Sequence, residues 1–321
     1  MEAEVTPGPV GRRWTAARRV AGYGAAASLS LYLLVKVVWV AAGLLGSVPS
    51  DVGGADWIVL NAVTVVMAAV GIALGVALAR DRGRGAPAVP LVFVAWIAAG
   101  FLVPMIPYML LSTLLDAGRT TEPDEGTTVP AWEGAFLAVG FLGMAVGLAI
   151  ALPVLLRERW PAAFVGRLGG GPRAAAGRAR TRAVLGMCLL LAAAWAYWAA
   201  GGTLGLDPDR TDPMTADARL LLGNSALWAL AGAWAAAARR PDTPTWLPMA
   251  LGFTASGSLF AWSAWKLPLV FLRPGDYAPA ERPVVAVVQH GLGIAAGALL
   301  LAAIVQAVAA AESRQRRRGS P

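Results

Sequence analysis

Six side chains in this sequence could do chemistry at places where a polar group is costly. Lys36, Glu133, Lys266 and His290 are ionisable groups inside or at the ends of long apolar runs, and Asn61 and Asn224 are amides in two further runs. An ionisable side chain in hydrocarbon costs about 2.5–3.5 kcal/mol on insertion scales, so such positions are where ligand binding or proton handling is to be sought. Imidazole can carry a proton near neutral pH, lysine and glutamate can pair, and an amide both donates and accepts. Plainer roles stand beside these. Glu133 and Lys266 lie close enough to a run's end to snorkel, Asn61 and Asn224 can be interhelical glue, and His290, beside Gln289, can be a structural histidine. Lys36 lies deeper and needs a carboxylate, a carbonyl or water, with Glu133 the natural acid. Lys36, Glu133 and His290 are therefore the expected functional centre.

Something must hold these groups, and composition says what. Of 321 residues, 57% are hydrophobic and 14% charged, and mean hydropathy is +0.61. A soluble domain carries about 25% charged and 45–50% apolar residues, so the bilayer is the solvent for much of this chain. At about 20 residues per span, the apolar runs are 20–45, 57–79, 89–111, 132–156, 183–204, 218–238, 246–267 and 284–310. The expected architecture is all-α, a polytopic integral membrane protein with eight transmembrane helices. The runs are continuous and do not alternate with period two, which disfavours a β-barrel. The first run starts after 19 residues and contains Lys36, unlike a cleavable signal peptide. Pro104-Met105-Ile106-Pro107 should interrupt the third run, since proline removes helix hydrogen bonds. Trp39, Trp57, Trp132, Trp195, Trp198, Trp228, Trp262 and Trp265 gather toward one side, as an interfacial belt or an aromatic pocket would. Gly252, Gly257, Gly291 and Gly293 are expected to permit close helix packing.

Net charge is +8, but the arginines fall between apolar runs and form no nucleic-acid-binding face. Twenty arginines lie in the amino-terminal segment, the second, fourth and sixth connections and the carboxy-terminal tail, whereas Arg119, Arg210, Arg219, Arg273 and Arg282 occupy the opposite side. That opposite side also holds most acids, among them Asp51, Glu122, Asp124, Glu125, Asp207, Asp217, Asp276 and Glu281. The positive-inside rule then makes both termini cytoplasmic in a bacterial plasma membrane. It divides the chain into a basic amino-terminal segment (1–19), a four-helix half (20–158), a basic linker (159–182), a second half (183–310) and a basic tail (311–321). The linker and tail suit anionic lipid headgroups. With odd spans running outward, all six polar residues fall in the outer half of the membrane and are expected to line one outward-facing cavity.

The halves resemble each other. At an offset of 159, Trp39, Gly43 and Gly46 fall on Trp198, Gly202 and Gly205, Pro49 on Pro208, and Arg80 on Arg239. A one-residue shift brings Pro90 onto Pro248. Duplication of an even-numbered unit preserves orientation, so two parallel four-helix repeats are expected. The stretch Trp195-Ala196-Tyr197-Trp198-Ala199-Ala200-Gly201-Gly202 resembles the first-helix signature of a small, uncharacterised family of four-helix bacterial membrane proteins of actinobacterial type, with Trp195 where that family often has histidine. The resemblance implies architecture and no activity.

Several classes are excluded by simple counts. One cysteine, Cys188, and one histidine leave no intramolecular disulfide and no multi-imidazole metal site. Gly169-Gly170-Gly171-Pro172 lacks the Gly-Lys-Ser/Thr ending of a phosphate loop, and no cofactor is expected. The leading reading is a transporter-like or ligand-binding protein taking a small or amphipathic ligand. The alternatives are an accessory subunit bound to another membrane protein, and a membrane-embedded enzyme acting on a lipid-like substrate.

Overall fold

The computed structural model describes residues 10–47, 54–80, 88–116, 131–165, 175–208, 214–238, 242–273 and 279–319. The acids Asp51, Glu122, Asp124, Glu125 and Asp276, the arginines Arg82, Arg84, Arg119, Arg167, Arg173, Arg210, Arg239 and Arg240, and the Gly169–Pro172 run lie outside the described residues. Helices α1 (Arg12–Leu44), α2 (Gly54–Ala79), α3 (Ala88–Leu102), α4 (Met105–Asp116) and α5 (Ala131–Arg159) come first. After the short α6 (Pro161–Phe164) follow α7 (Ala175–Ala199), α8 (Ala216–Ala237), α9 (Trp246–Leu272) and α10 (Pro283–Gly319). Arg12–Arg19 form the first two turns of α1, and α10 runs on through residues 311–319.

The fold is polytopic and helical, because hydrocarbon leaves backbone groups no partner but their own helix. Among the described residues seven segments are long and apolar enough to cross a membrane, α3 and α4 together making one of them. The expected eighth, α9, has the length at 27 residues but is not among the seven. The packing explains why. α9 lies against α3, α8 and α10, and much of its surface is buried, including Ala255, Ser256, Gly257, Ala261 and Ser263. A helix wrapped by protein can carry small and hydroxylated residues where a lipid-facing one needs leucine.

Small residues set the helix crossings. A Cβ on Gly22 of α1 would stand 2.8 Å from the Gly75 carbonyl oxygen of α2. On its other side α1 packs on α5, making α2–α1–α5 a tight trio. α3 leans away from that trio onto α9, where a Cβ on Gly100 would collide with the Gly257 backbone. Close by, Trp96 Nε1 donates to Ser256 Oγ at 2.8 Å, with both side chains buried. Of the glycines expected to permit packing, Gly252, Gly257 and Gly293 do so, whereas Gly291 faces open space.

One helix ending occurs twice. α1 closes with Leu45 N donating to Ala41 O, Gly46 N to Gly43 O and Ser47 N to Ala42 O, with Gly46 at φ 86°. α7 closes with Ala200 N donating to Ala196 O, Gly201 N to Trp198 O and Gly202 N to Tyr197 O, with Gly201 at φ 96°. Both are Schellman closures, in which glycine supplies the left-handed residue. The register between them is 155 residues, about one helical turn short of the 159 that matched the sequences. Gly205, aligned with Gly46 at 159, belongs instead to the following loop, also with positive φ (88°).

Candidate functional site

The six polar residues do not converge on one cavity. Lys36, Asn61 and Glu133 meet between α1, α2 and α5, whereas Asn224, Lys266 and His290 line a cavity among α8, α9 and α10. The expectation of a joint centre of Lys36, Glu133 and His290 is corrected accordingly. The reason is the packing: α1 sits in the α2–α5 groove, while α10 follows α9.

The first cluster satisfies itself. Lys36 Nζ donates to Asn61 Oδ1 at 3.0 Å and lies 4.0 Å from the centroid of the Trp39 ring. Asn61 Nδ2 donates to the Trp57 carbonyl at 2.8 Å, which leaves its oxygen facing the ammonium. Glu133 Oε2 accepts from Trp39 Nε1 at 2.8 Å and acts electrostatically on Lys36. Asn61 and Glu133 are buried at 3% and 8% exposure, so Glu133 does not snorkel. The acid expected to serve Lys36 does so across the Trp39 indole, while the direct hydrogen bond goes to Asn61.

The second cluster surrounds a cavity of about 340 Å³. Its shape originates in the Tyr-Trp and Gly-Gly residues at the end of α7. Trp198 Nε1 donates to the Leu204 carbonyl at 2.8 Å, and Leu204 N donates to Tyr197 Oη at 3.2 Å, which folds the loop back on its helix. That loop then pairs with the chain entering α10: Asp207 N donates to Ala280 O and Arg282 N to Gly205 O. Glu281 is thereby fixed in the cavity wall, facing Gln289 Nε2 at 2.7 Å. Gln289 Oε1 in turn accepts from Trp195 Nε1 at 3.2 Å. Sequence reasoning placed Glu281 among the outer acids and missed this role, which depends on a loop no local pattern specifies.

Three features give the cavity chemical character. His290 is 6% exposed, lines the wall, and its Nδ1 has no hydrogen-bond partner among the described residues. Lys266 and Glu281 both act electrostatically on that imidazole. Asn224 Nδ2 donates to the Pro104 carbonyl at 2.9 Å, at the break between α3 and α4 that the two prolines were expected to cause. An adjoining chamber of about 650 Å³ shares Trp198, Leu206, Met214 and Ala280 with the cavity and is lined by Arg219, Arg282 and Asp207.

A further charged group is buried at the other end of the helices. Arg18, read from sequence as a topology signal, is fully buried: its Nη1 donates to the Leu78 carbonyl and its Nε pairs with Glu158 at 3.3 Å. Thr15 Oγ1 also donates to Glu158 at 3.3 Å. This arginine ties α1, α2 and α5 together. Scans against protein-family models, curated proteins and solved structures found no match for the chain.

Proposed function

We propose that this protein binds a small amphipathic molecule in the cavity among α8, α9 and α10, as a carrier or ligand-binding protein of the bacterial plasma membrane. One observation carries the reading: His290, nine-tenths buried and with no partner for its Nδ1 among the described residues, lines a cavity that also holds Lys266, Glu281 and Asn224. A buried polar atom with no partner is costly unless something completes its bonding. A few placed polar groups among aromatic walls are what small-molecule sites present. Trp195, Trp198 and Trp262 supply those walls.

The chain is read as eight spans, α9 included, in two parallel four-helix repeats with both termini cytoplasmic. The arginine distribution supports the orientation. The repeat is supported by the matching Schellman closures and by a second recurrence. Trp39 donates to Glu133 and Trp195 donates to Gln289, each pair 94 residues apart in sequence, at a register of 156. On this topology the cavity and the adjoining arginine-lined chamber open outward. The first cluster, with its ammonium already bonded, is structural.

Native mass spectrometry in mild detergent tests the reading. Wild type should carry a bound small molecule, Lys266→Met and His290→Ala should lose it, and Lys36→Met should retain it. A folded wild type that carries none, under conditions that preserve lipid adducts, refutes ligand binding.

A further inference from the structure

The two Trp pairs invite a comparison of what lies beneath each. Three residues before Trp39 is Lys36, on the same helix face. At the register of 156 its counterpart is Ala192, three residues before Trp195 and 3% exposed. Each half also carries an amide on its next long helix, Asn61 on α2 and Asn224 on α8, 163 residues apart and so seven residues off that register. Asn61 and Asn224 each give Nδ2 to a backbone carbonyl, of Trp57 and Pro104 respectively, which leaves Oδ1 as the acceptor. In the first half that acceptor holds the Lys36 ammonium, on the Trp39 ring and near Glu133. In the second half there is no lysine on α7 to reach it, and a cavity lies there.

We infer that the ligand of the second-half cavity is a zwitterion whose primary ammonium takes the place that Lys36 occupies in the first half, and whose carboxylate or phosphate faces Arg219 and Arg282 in the adjoining chamber. This rests on the ligand-binding reading above. Asn224 Oδ1, the His290 imidazole and the Glu281 carboxylate line the cavity as acceptors for the N–H groups, and the Trp195 indole is a ring for the charge to rest on. The inner charges of Lys266 and Glu281 balance each other, so the inner cavity has no net charge to hold a lone cation. Among the described residues the neighbouring chamber is lined by two cations, Arg219 and Arg282, and one acid, Asp207, which matches an anionic group joined to that ammonium.

Binding to purified protein in detergent is measured with O-phosphoethanolamine, ethanolamine and glycerol 3-phosphate, and in nanodiscs with and without phosphatidylethanolamine. The zwitterion should bind at least about tenfold more tightly than either single-charge probe, a difference worth about 1.4 kcal/mol. Saturable binding of free O-phosphoethanolamine marks a soluble ligand; retention only of phosphatidylethanolamine marks a lipid headgroup. Ala192 is packed in the apolar cluster with Cys188, Ala229 and Leu259, so Ala192→Lys should lose thermal stability and, in the folded protein, lower affinity at least about tenfold as its ammonium extends toward the Trp195 ring and occupies the site. Should that variant not fold, Glu281→Gln replaces it, and there the preference for O-phosphoethanolamine over glycerol 3-phosphate should vanish. Undiminished binding in Ala192→Lys, or an unchanged preference in Glu281→Gln, overturns the inference. Equal or better binding of glycerol 3-phosphate by wild type also overturns it but leaves ligand binding intact. Failure of every probe, together with an absence of any co-purified molecule, overturns both.

Discussion

Replacing Lys36 with methionine keeps an unbranched side chain, one atom shorter, and removes its charge. The ammonium is the donor to Asn61 Oδ1 at 3.0 Å and rests 4.0 Å from the Trp39 ring centroid, with Glu133 buried at 8% exposure beside it. A hydrogen bond to a charged group contributes about 1.5–3 kcal/mol and a cation–π contact about 0.5–2 kcal/mol. Removing one partner of a buried ion pair costs about 3–5 kcal/mol because a charge is stranded. Glu133 acts on Lys36 across the Trp39 indole without a direct ion pair and keeps its hydrogen bond from Trp39, so the cost falls below that range, and Lys36→Met should cost about 2 kcal/mol, the charged hydrogen bond to Asn61. Glu133→Gln should cost about 2 kcal/mol, since glutamine still accepts from Trp39 but no longer balances the lysine. The double variant should recover about 1–2 kcal/mol relative to the sum, because neither charge is then stranded. Reversible unfolding in mixed micelles, followed by tryptophan fluorescence, measures all three. Additivity within about 0.5 kcal/mol, the behaviour of independent sites, would refute a coupled Lys36–Asn61–Trp39–Glu133 network.

Two further perturbations probe the scaffold. Arg18→Met removes the ion pair to Glu158 at the junction of α1, α2 and α5 but leaves the Thr15 donor, and should cost about 3 kcal/mol, the lower end for a broken buried pair; denaturation in which Arg18→Met matches wild type would mean the pair carries no net stability. Gly257→Ala would place a Cβ 2.6 Å from the Trp96 carbonyl oxygen and push α3 from α9, with overpacking costing about 1–3 kcal/mol. Thermal unfolding checks this, and a variant as stable as wild type would show that α3 and α9 do not cross so closely.

The solvent was legible from sequence because lipid imposes one rule everywhere: backbone groups must bond within their own helix. Apolar length therefore marked the helices, and Pro104 and Pro107 marked the break in the third run. The arginines between runs supported an orientation for the same simple reason, that their placement relative to spans needs no partner. α9 is the instructive departure, since its burial by α3, α8 and α10 relaxes the demand for lipid-compatible side chains. The candidate polar residues were also visible, each being costly in hydrocarbon whatever its neighbours. Only the tertiary structure decided which of them meet. Helix packing follows from small-residue surfaces such as Gly22 against Gly75 and Gly100 against Gly257, and those surfaces have no signature that names a partner. So Lys36 and Glu133 came together while His290 joined Lys266 and Glu281. Arg18 turned from a surface charge into a buried tie. The identical 94-residue spacing of Trp39–Glu133 and Trp195–Gln289 was present in the sequence throughout, but it acquires meaning only once α1 is seen to lie on α5 and α7 on α10.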